Sequence, residues 1–293
     1  MAAPNNKSDF HVLVVGAGPV GLLIAHRLKM LGIKCTVFER EHYLNERPRD
    51  WGFGIYWAQS SLIECLPTSL LSRLNTAQGD PSRTPTPKNY MRLMNGETAE
   101  ELSRAPTPNY GNRLSTLSKN THKGEPRVTA TFKDGSKAVG NLVVGADVSK
   151  SIVRDYLLGP EAAAMQPLPI MGMRATFTFP AGIAKKMVTE PQDQFAAITY
   201  HPAGCCAFFS NRGQGPNNAV HNAGSLCRAL DEHINHGKPL SDVMAACQTE
   251  VVERGREAVI SSGRNSMMIL DWEQLKHSPI FTQGVVGRAN GGQ

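Results

Sequence analysis

A six-residue run, Gly16-Ala17-Gly18-Pro19-Val20-Gly21, and one carboxylate, Glu39, carry the most legible chemistry in this chain. A G-x-G-x-x-G run between a strand and a helix binds the pyrophosphate of a dinucleotide. Gly16 permits the tight turn, Gly18 lets the backbone approach the phosphates, and Gly21 lets the helix lie close to the strand. Amides at the helix start face the phosphates, and the helix dipole favours their charge. Glu39 follows Gly21 by 18 residues, where a carboxylate accepts hydrogen bonds from ribose hydroxyls. These residues do not distinguish FAD from NAD(P).

The elements that must position them are present. Residues 12–15 are aliphatic and predict a buried parallel strand. Leu22, Leu23, Ala25, Leu28 and Leu31 follow a helical period that Gly32 stops. Residues 35–38 predict a second strand that delivers Glu39 and Arg40. Further on, a helix is expected over 58–74, interrupted near Pro67, and a short hairpin around Asn95-Gly96. Residues 128–132 alternate as a strand, 133–136 turn, and a return strand reaches 141–144, ending in Gly145-Ala146-Asp147. Strands are also expected over 173–179, 195–200 and 205–209. Ala219, Ala223, Leu226, Cys227, Leu230 and Ile234 share one helix face that ends near Gly237, and a second helix runs from Ser241 beyond Val259.

Composition narrows the class. Hydrophobic residues make up 41% and charged residues 19% of 293, which suits a folded soluble chain with a substantial core. The net charge of +6 is spread without a Lys/Arg run, which argues against nucleic acid or an anionic membrane as a partner. Residues 1–9 are polar and unlike a signal peptide, and the apolar stretch that follows is too short and glycine-broken to span a bilayer. Six cysteines lack C-x-x-C or zinc-ligand spacing, so no metal is expected. Adjacent Cys205 and Cys206 are read as buried, inert thiols in a reducing, cytoplasmic compartment.

A second motif, Gly145-Ala146-Asp147 with Ser151, Val153 and Arg154, lies more than a hundred residues after the first. A third, Arg212-Gly213-Gln214-Gly215-Pro216-Asn217, opens the first C-terminal helix. Together with Gly16-x-Gly18-x-x-Gly21 and in this order, they resemble the single-component FAD-dependent monooxygenases, the aromatic-hydroxylase-like flavoproteins of fungal-type secondary metabolism. The resemblance implies that Asp147 helps hold FAD where NADPH visits, and that the loop of Gly213, Gln214, Gly215, Pro216 and Asn217 lies under the flavin ring. It also matches Arg49 and Gly52 to the loop covering FAD. Arg113 is the candidate for the family arginine, although its surroundings equally suit a strand. Val148 replaces the glycine that follows the aspartate in the family. Taken alone, Asp147 also reads as a helix N-cap.

The implied fold is α/β: a Rossmann-like FAD-binding domain (1–55, 111–160, 211–283), an inserted, shortened mixed β-sheet substrate region (56–110, 161–210) and C-terminal helices, with a flexible tail at 284–293. The family's Gly-Asp-Ala strand before the flavin loop is missing, and the stretches 110–127 and 154–212 are short, the pattern of a chain that lost internal blocks. The implied activity uses NADPH, FAD and O2 to hydroxylate or epoxidise a small aromatic or polyketide-like substrate. An inactive remnant and an NAD(P)-dependent reductase are the alternatives. His26, His201 and His221 are read as structural, and no catalytic acid or base is assigned.

Overall fold

Three consecutive residues, Val12, Leu13 and Val14, are fully excluded from solvent. A strand can bury consecutive side chains only if both its faces are covered. The strand is β1 (His11–Val15), the middle of a parallel sheet of order β2-β1-β7, with β2 at Lys34–Phe38 and β7 at Leu142–Gly145. The computed structural model describes residues 10–41, 46, 55, 57–77, 90–106, 127–132, 134–147, 149–171, 180–182, 194–209 and 215–282.

Val12 and Val14 face a helical layer made of α1 (Pro19–Met30), α2 (Gln59–Cys65) and α6 (Gly215–His236), whose Leu23, Ile24, Leu28, Cys65, Ala223, Cys227, Leu230 and Ile234 complete one core. Leu13 points the other way, where Gly140 lies so close that an added Cβ would meet its Cγ at 2.7 Å. Gly140 ends β6 (Lys137–Gly140), which pairs antiparallel with β5 (Val128–Thr131). That hairpin covers the second face. Each of these buried aliphatics contributes about 1.5–3 kcal/mol.

The single return strand expected up to residue 144 is two strands. The Asn141 carboxamide oxygen accepts from the His11 amide at 2.9 Å, and the Asn141 amide donates to the His11 carbonyl at 2.7 Å. This side-chain bond ends the hairpin and turns β7 into the parallel sheet. Helix α1 follows its predicted bounds, and Gly32, at φ +69°, closes it while the Ile33 amide returns to the Leu28 carbonyl. Its buried face differs from the expected stripe. Leu22 is half exposed, and Arg27 is buried in the core-facing stripe.

The chain divides into two compact units. The first holds 1–81, 112–165 and 213–255, and the second holds 82–111, 166–212 and 256–293. Residues 58–77, expected in the substrate region, group with the first unit because Ala58 and Cys65 are core residues beneath α6. The first unit also contains α3 (Thr68–Leu71), a 3₁₀ turn (Leu74–Ala77), α4 (Ile152–Leu158), α5 (Pro160–Ala163) and the first part of α7 (Leu240–Met268).

The second unit is built on a mixed sheet of order β4-β3-β8-β9, with β3 at Tyr90–Asn95, β4 at Glu101–Pro106, β8 at Gln194–His201 and β9 at Cys205–Phe209. Met91, Leu93 and Asn95 alternate inward along β3, and the Tyr200 ring packs at a tilt of 52° against Phe281 of α9 (Pro279–Thr282), which follows α8 (Trp272–Leu275). The strands expected at 90–94, 195–200 and 205–209 and both C-terminal helices are as predicted. The strand expected at 173–179 and the tail at 284–293 lie outside the described residues. Cys205 and Cys206 are exposed, contrary to the expected burial, because β9 is an outer strand of the four-stranded sheet.

Candidate functional site

The β1–β7 pairing brings the first two motifs together. Val15 sits opposite Gly145, and the Ala146 amide donates to the Val15 carbonyl at 2.7 Å. Gly16 takes φ +107°, and a Cβ there would lie 2.5 Å from the Ala146 carbonyl oxygen. A Cβ on Gly21 would lie 2.0 Å from the Gly16 carbonyl oxygen and 3.3 Å from Ala146 Cβ. Both glycines are therefore required by backbone contact. Gly18 is different: among the described residues nothing stands within 4 Å of where its Cβ would be. The open space at the loop is at Gly18, on the C-terminal edge of a parallel sheet, where α/β folds bind ligands.

Helix α1 starts at that space with Gly18 as N-cap and Pro19 in the first turn. Among the described residues no side chain caps it, and no acidic residue lies in its first turn. Its positive end is left to whatever anion approaches. Glu39 already reaches the same loop. Its Oε2 accepts from the Ala17 amide at 2.8 Å, and Oε1 accepts from the Arg40 and Glu41 amides at 2.9 and 3.2 Å. The Ala17 bond is the main reason its carboxyl is held below the ordinary glutamate range; burial opposes it. Glu39 and Arg40 are otherwise exposed at the end of β2. An uncapped helix start, a vacant approach at Gly18 and an exposed carboxylate beyond β2 fit the adenine half of a dinucleotide.

Asp147 is engaged differently. Its Oδ1 accepts from the Ser151 hydroxyl at 2.6 Å and its Oδ2 from the Ile152 amide at 2.9 Å. Ser151 in turn caps α4 by accepting from the Arg154 amide at 3.0 Å. The N-capping sense read from the sequence is thus realised by Asp147 and Ser151 jointly. Arg154 donates to the Ser149 carbonyl at 2.6 Å.

In the third motif, Gly215 begins α6 and Pro216 lies in its first turn, as expected, while Asn217 is fully buried. Arg49, Gly52, Arg113, Gly213 and Gln214 lie outside the described residues. Two of the three histidines read as structural have hydrogen-bond partners among the described residues. His201 Nδ1 accepts from the Ala203 amide at 3.1 Å within a turn. His221 Nδ1 pairs with the Ser61 hydroxyl at 3.1 Å, and its Nε2 lies 3.5 Å from Glu250. Burial, and then the Arg254 guanidinium, holds the His221 imidazole below its usual pKa. Among the described residues no cluster of three metal-ligating side chains occurs, and no helix is long and apolar enough to cross a membrane.

The Ala146 carbonyl, which presses against Gly16, and the Ala17 amide, which holds Glu39, are functional groups that sequence reasoning missed. Backbone groups leave no residue-type signal. Gly145-Ala146 beside a strand end was the one available hint.

Residues 9–53 match a model of the FAD binding domain. The FAD-dependent monooxygenase cctM of Talaromyces islandicus is 30% identical over 392 aligned positions, covering 95% of this chain and 98% of cctM. The chain belongs to the FAD-dependent monooxygenases. The FAD-dependent monooxygenase phnB of Penicillium herquei is 24% identical with 94% of both chains covered. Since 95% of a 293-residue chain is laid over 392 positions, roughly a hundred residues of cctM have no counterpart in this monooxygenase. In fold it is similar to 2,6-dihydroxypyridine-3-hydroxylase from Arthrobacter nicotinovorans (TM-score 0.56, 14% identity, 92% of this chain and 94% of that one). Klebsiella pneumoniae HpxO, solved with FAD and uric acid, is equally similar (TM-score 0.56, 14% identity, 92% and 91% covered).

Proposed function

We propose that this chain holds the ADP portion of FAD at Gly16, Gly18, Gly21, Glu39 and Arg40, and uses NADPH and O2 to hydroxylate or epoxidise a small aromatic or polyketide-like molecule in fungal-type secondary metabolism in the cytoplasm. The single observation that carries the reading is the uncapped start of α1 opening onto vacant space at Gly18, with the Glu39 carboxylate at its rim. Asp147, Arg49, Gly52, Arg113 and the loop of Gly213, Gln214, Gly215, Pro216 and Asn217 are the further positions that the family resemblance assigns to the flavin.

When bound, FAD supplies the redox and oxygen chemistry; the protein binds it, orients it and excludes water. The overall reaction consumes one O2 and one NADPH with a proton, and delivers one oxygen atom to the substrate and the other to water. In this chain the glycine loop and α1 would meet the pyrophosphate charge, and the Glu39 carboxylate would accept hydrogen bonds from ribose hydroxyls. The segment from Asp147 through Ser151 fixes α4 beside the loop. In the second unit Leu168, Ile170, Ile269 and Leu270, with Cys206 and Ser266, line an open, largely apolar surface depression.

A second reading, an inactive or non-catalytic remnant with weak or no flavin binding, is favoured by the roughly hundred residues of cctM that this chain lacks. The visible spectrum of the purified chain, before and after added FAD, tests the first claim. A folded protein that stays colourless with FAD refutes flavin binding. If flavin binds, NADPH oxidation that yields an oxygenated product with candidate aromatics supports the monooxygenase reading. Bound flavin without such a product supports the remnant.

A further inference from the structure

Helix α4 is held to the first unit by its first turn. Ser151, its cap, is buried, and Val153 lies against β7, where a Cβ on Gly145 would stand 2.7 Å from Val153 Cβ. The second turn stands clear of the described residues. Tyr156, Leu157 and Leu158 are 84%, 71% and 57% exposed, and Ile152, one turn before Tyr156, is 69% exposed. Successive helical residues point about 100° apart, so this turn is apolar nearly all the way round. A helix of that kind belongs in a buried setting. Four such side chains expose apolar surface on the order of 500 Å², where a few hundred already marks an interaction site.

The strand against which α4 packs is open as well. Among the described residues β7 pairs with β1 and with no other strand, which makes it an outer strand of its sheet. The Ala146 amide donates to Val15 of β1. Amides alternate in direction along a strand, so those of Val143 and Gly145 point away from β1. Outer strands are ordinarily guarded by charge, proline or a bulge. Leu142, Val143, Val144 and Gly145 include neither a charge nor a proline, and their register to β1 runs without a shift. An open strand edge beside an apolar turn fits protein rather than lipid, because backbone groups placed in hydrocarbon need a partner strand.

We propose that β7 and α4 form the interface through which two copies of this chain pair about a twofold axis perpendicular to the sheet. Such an axis sets β7 antiparallel to the β7 of the second copy and joins the two three-stranded sheets edge to edge. It also lays the two α4 helices antiparallel on one face of the joined sheet. The charges suit this arrangement. Exposed Lys150 stands before the start of α4, and exposed Glu161 stands beyond its end. Antiparallel helices bring Lys150 of each copy toward Glu161 of the other, whereas parallel ones would set like charges together. The α4 side chains supply over half of the roughly 800 Å² that each partner buries in a standard interface, and the β7 edge and α5 supply the rest.

The test follows the full chain by sedimentation velocity over about 1–50 μM, a range that brackets a micromolar Kd. The mass should rise with concentration from 31.8 kDa to twice that value and no further. Leu157→Glu, at an exposed position, should leave the melting temperature of the dilute monomer unchanged and raise the Kd at least about tenfold. Lys150→Glu should raise it severalfold, and the charge exchange K150E/E161K should restore it. In a C205S/C206S background, Tyr156→Cys should form a disulfide between copies on mild oxidation, read as a linked peptide pair, and this decides the matter even if L157E does not fold. A chain that stays monomeric throughout overturns the proposal, as does a dimer indifferent to L157E. A monomer that co-sediments with phosphatidylcholine vesicles overturns it in favour of a lipid surface.

Discussion

Replacing Gly18 and Gly21 in turn with alanine separates ligand approach from folding. At Gly21 the new Cβ would stand 2.0 Å from a backbone oxygen of Gly16, with Ala146 on its other side. Neither neighbour is a flexible side chain, so α1 must move away from the loop. Overpacking of this kind costs about 1–3 kcal/mol, and a contact with backbone belongs at the upper end. For a cooperative unit of this size about 3 kcal/mol lowers the melting temperature by roughly 6–12 °C. At Gly18 the backbone has φ −66° and ψ 174°, which alanine adopts, and the Cβ meets nothing among the described residues within 4 Å. Loss of a good N-cap residue and gain of chain stiffness nearly offset each other, leaving a change within about 1 kcal/mol. If phosphates approach this residue, G18A should still weaken FAD at least tenfold, about 1.4 kcal/mol. Thermal melts without flavin and quenching of FAD fluorescence on titration measure the two effects. G18A with undiminished FAD affinity, or G21A melting with the unsubstituted chain, would refute the reasoning.

Glu39→Gln keeps the shape but removes a charge that accepts several hydrogen bonds; FAD affinity should fall about tenfold or more, read by the same titration. Because the Glu39 carboxyl is held below its ordinary range, its stabilising effect is present above the unfolded glutamate value and is lost as pH falls through the lowered folded value. An acid titration of stability should show this loss in the unsubstituted chain and not in E39Q. Ser151→Ala removes the cap of α4 and should cost about 1 kcal/mol in chemical denaturation, with Asp147→Ala similar, since both hold the same helix start. His221 is held neutral by burial and Arg254, so its contribution is complete above the unfolded histidine pKa and declines as pH falls toward the lowered folded value. His221→Gln should therefore flatten the dependence of melting temperature on pH below about 6.5.

The nucleotide loop was legible because three independent demands, a buried strand, a glycine turn and an acid at the next strand end, fall within residues 11–40. The first long C-terminal helix, α6, was legible from one apolar stripe. What escaped has a common cause in long-range packing. Arg27 lies inside the core-facing stripe of α1, but its partner Glu64 sits on another helix, and Arg228 reaches Glu64 across 164 positions. Cys205 and Cys206 look like core residues until β9 is known to be an outer strand. Asn141 reads as one more polar turn residue, yet its carboxamide, bonded to the His11 amide, decides where one sheet ends and another begins. The family resemblance supplied Asp147 as a cofactor residue, and local chemistry supplied it as a cap; only the second role is visible as hydrogen bonds.

The seam between β1 and β7 has a consequence for how such a chain can change. Gly16 and Ala146 are fixed against each other by adjacent strands in register, Val12 to Leu142 through Val15 to Gly145, and by the amide bond to Val15. None of those constraints depends on how much polypeptide connects the two strands. The connecting chain can lengthen or shorten while the two halves of the junction still meet edge to edge. The glycine loop is in this sense insulated from the history of the sequence between its parts.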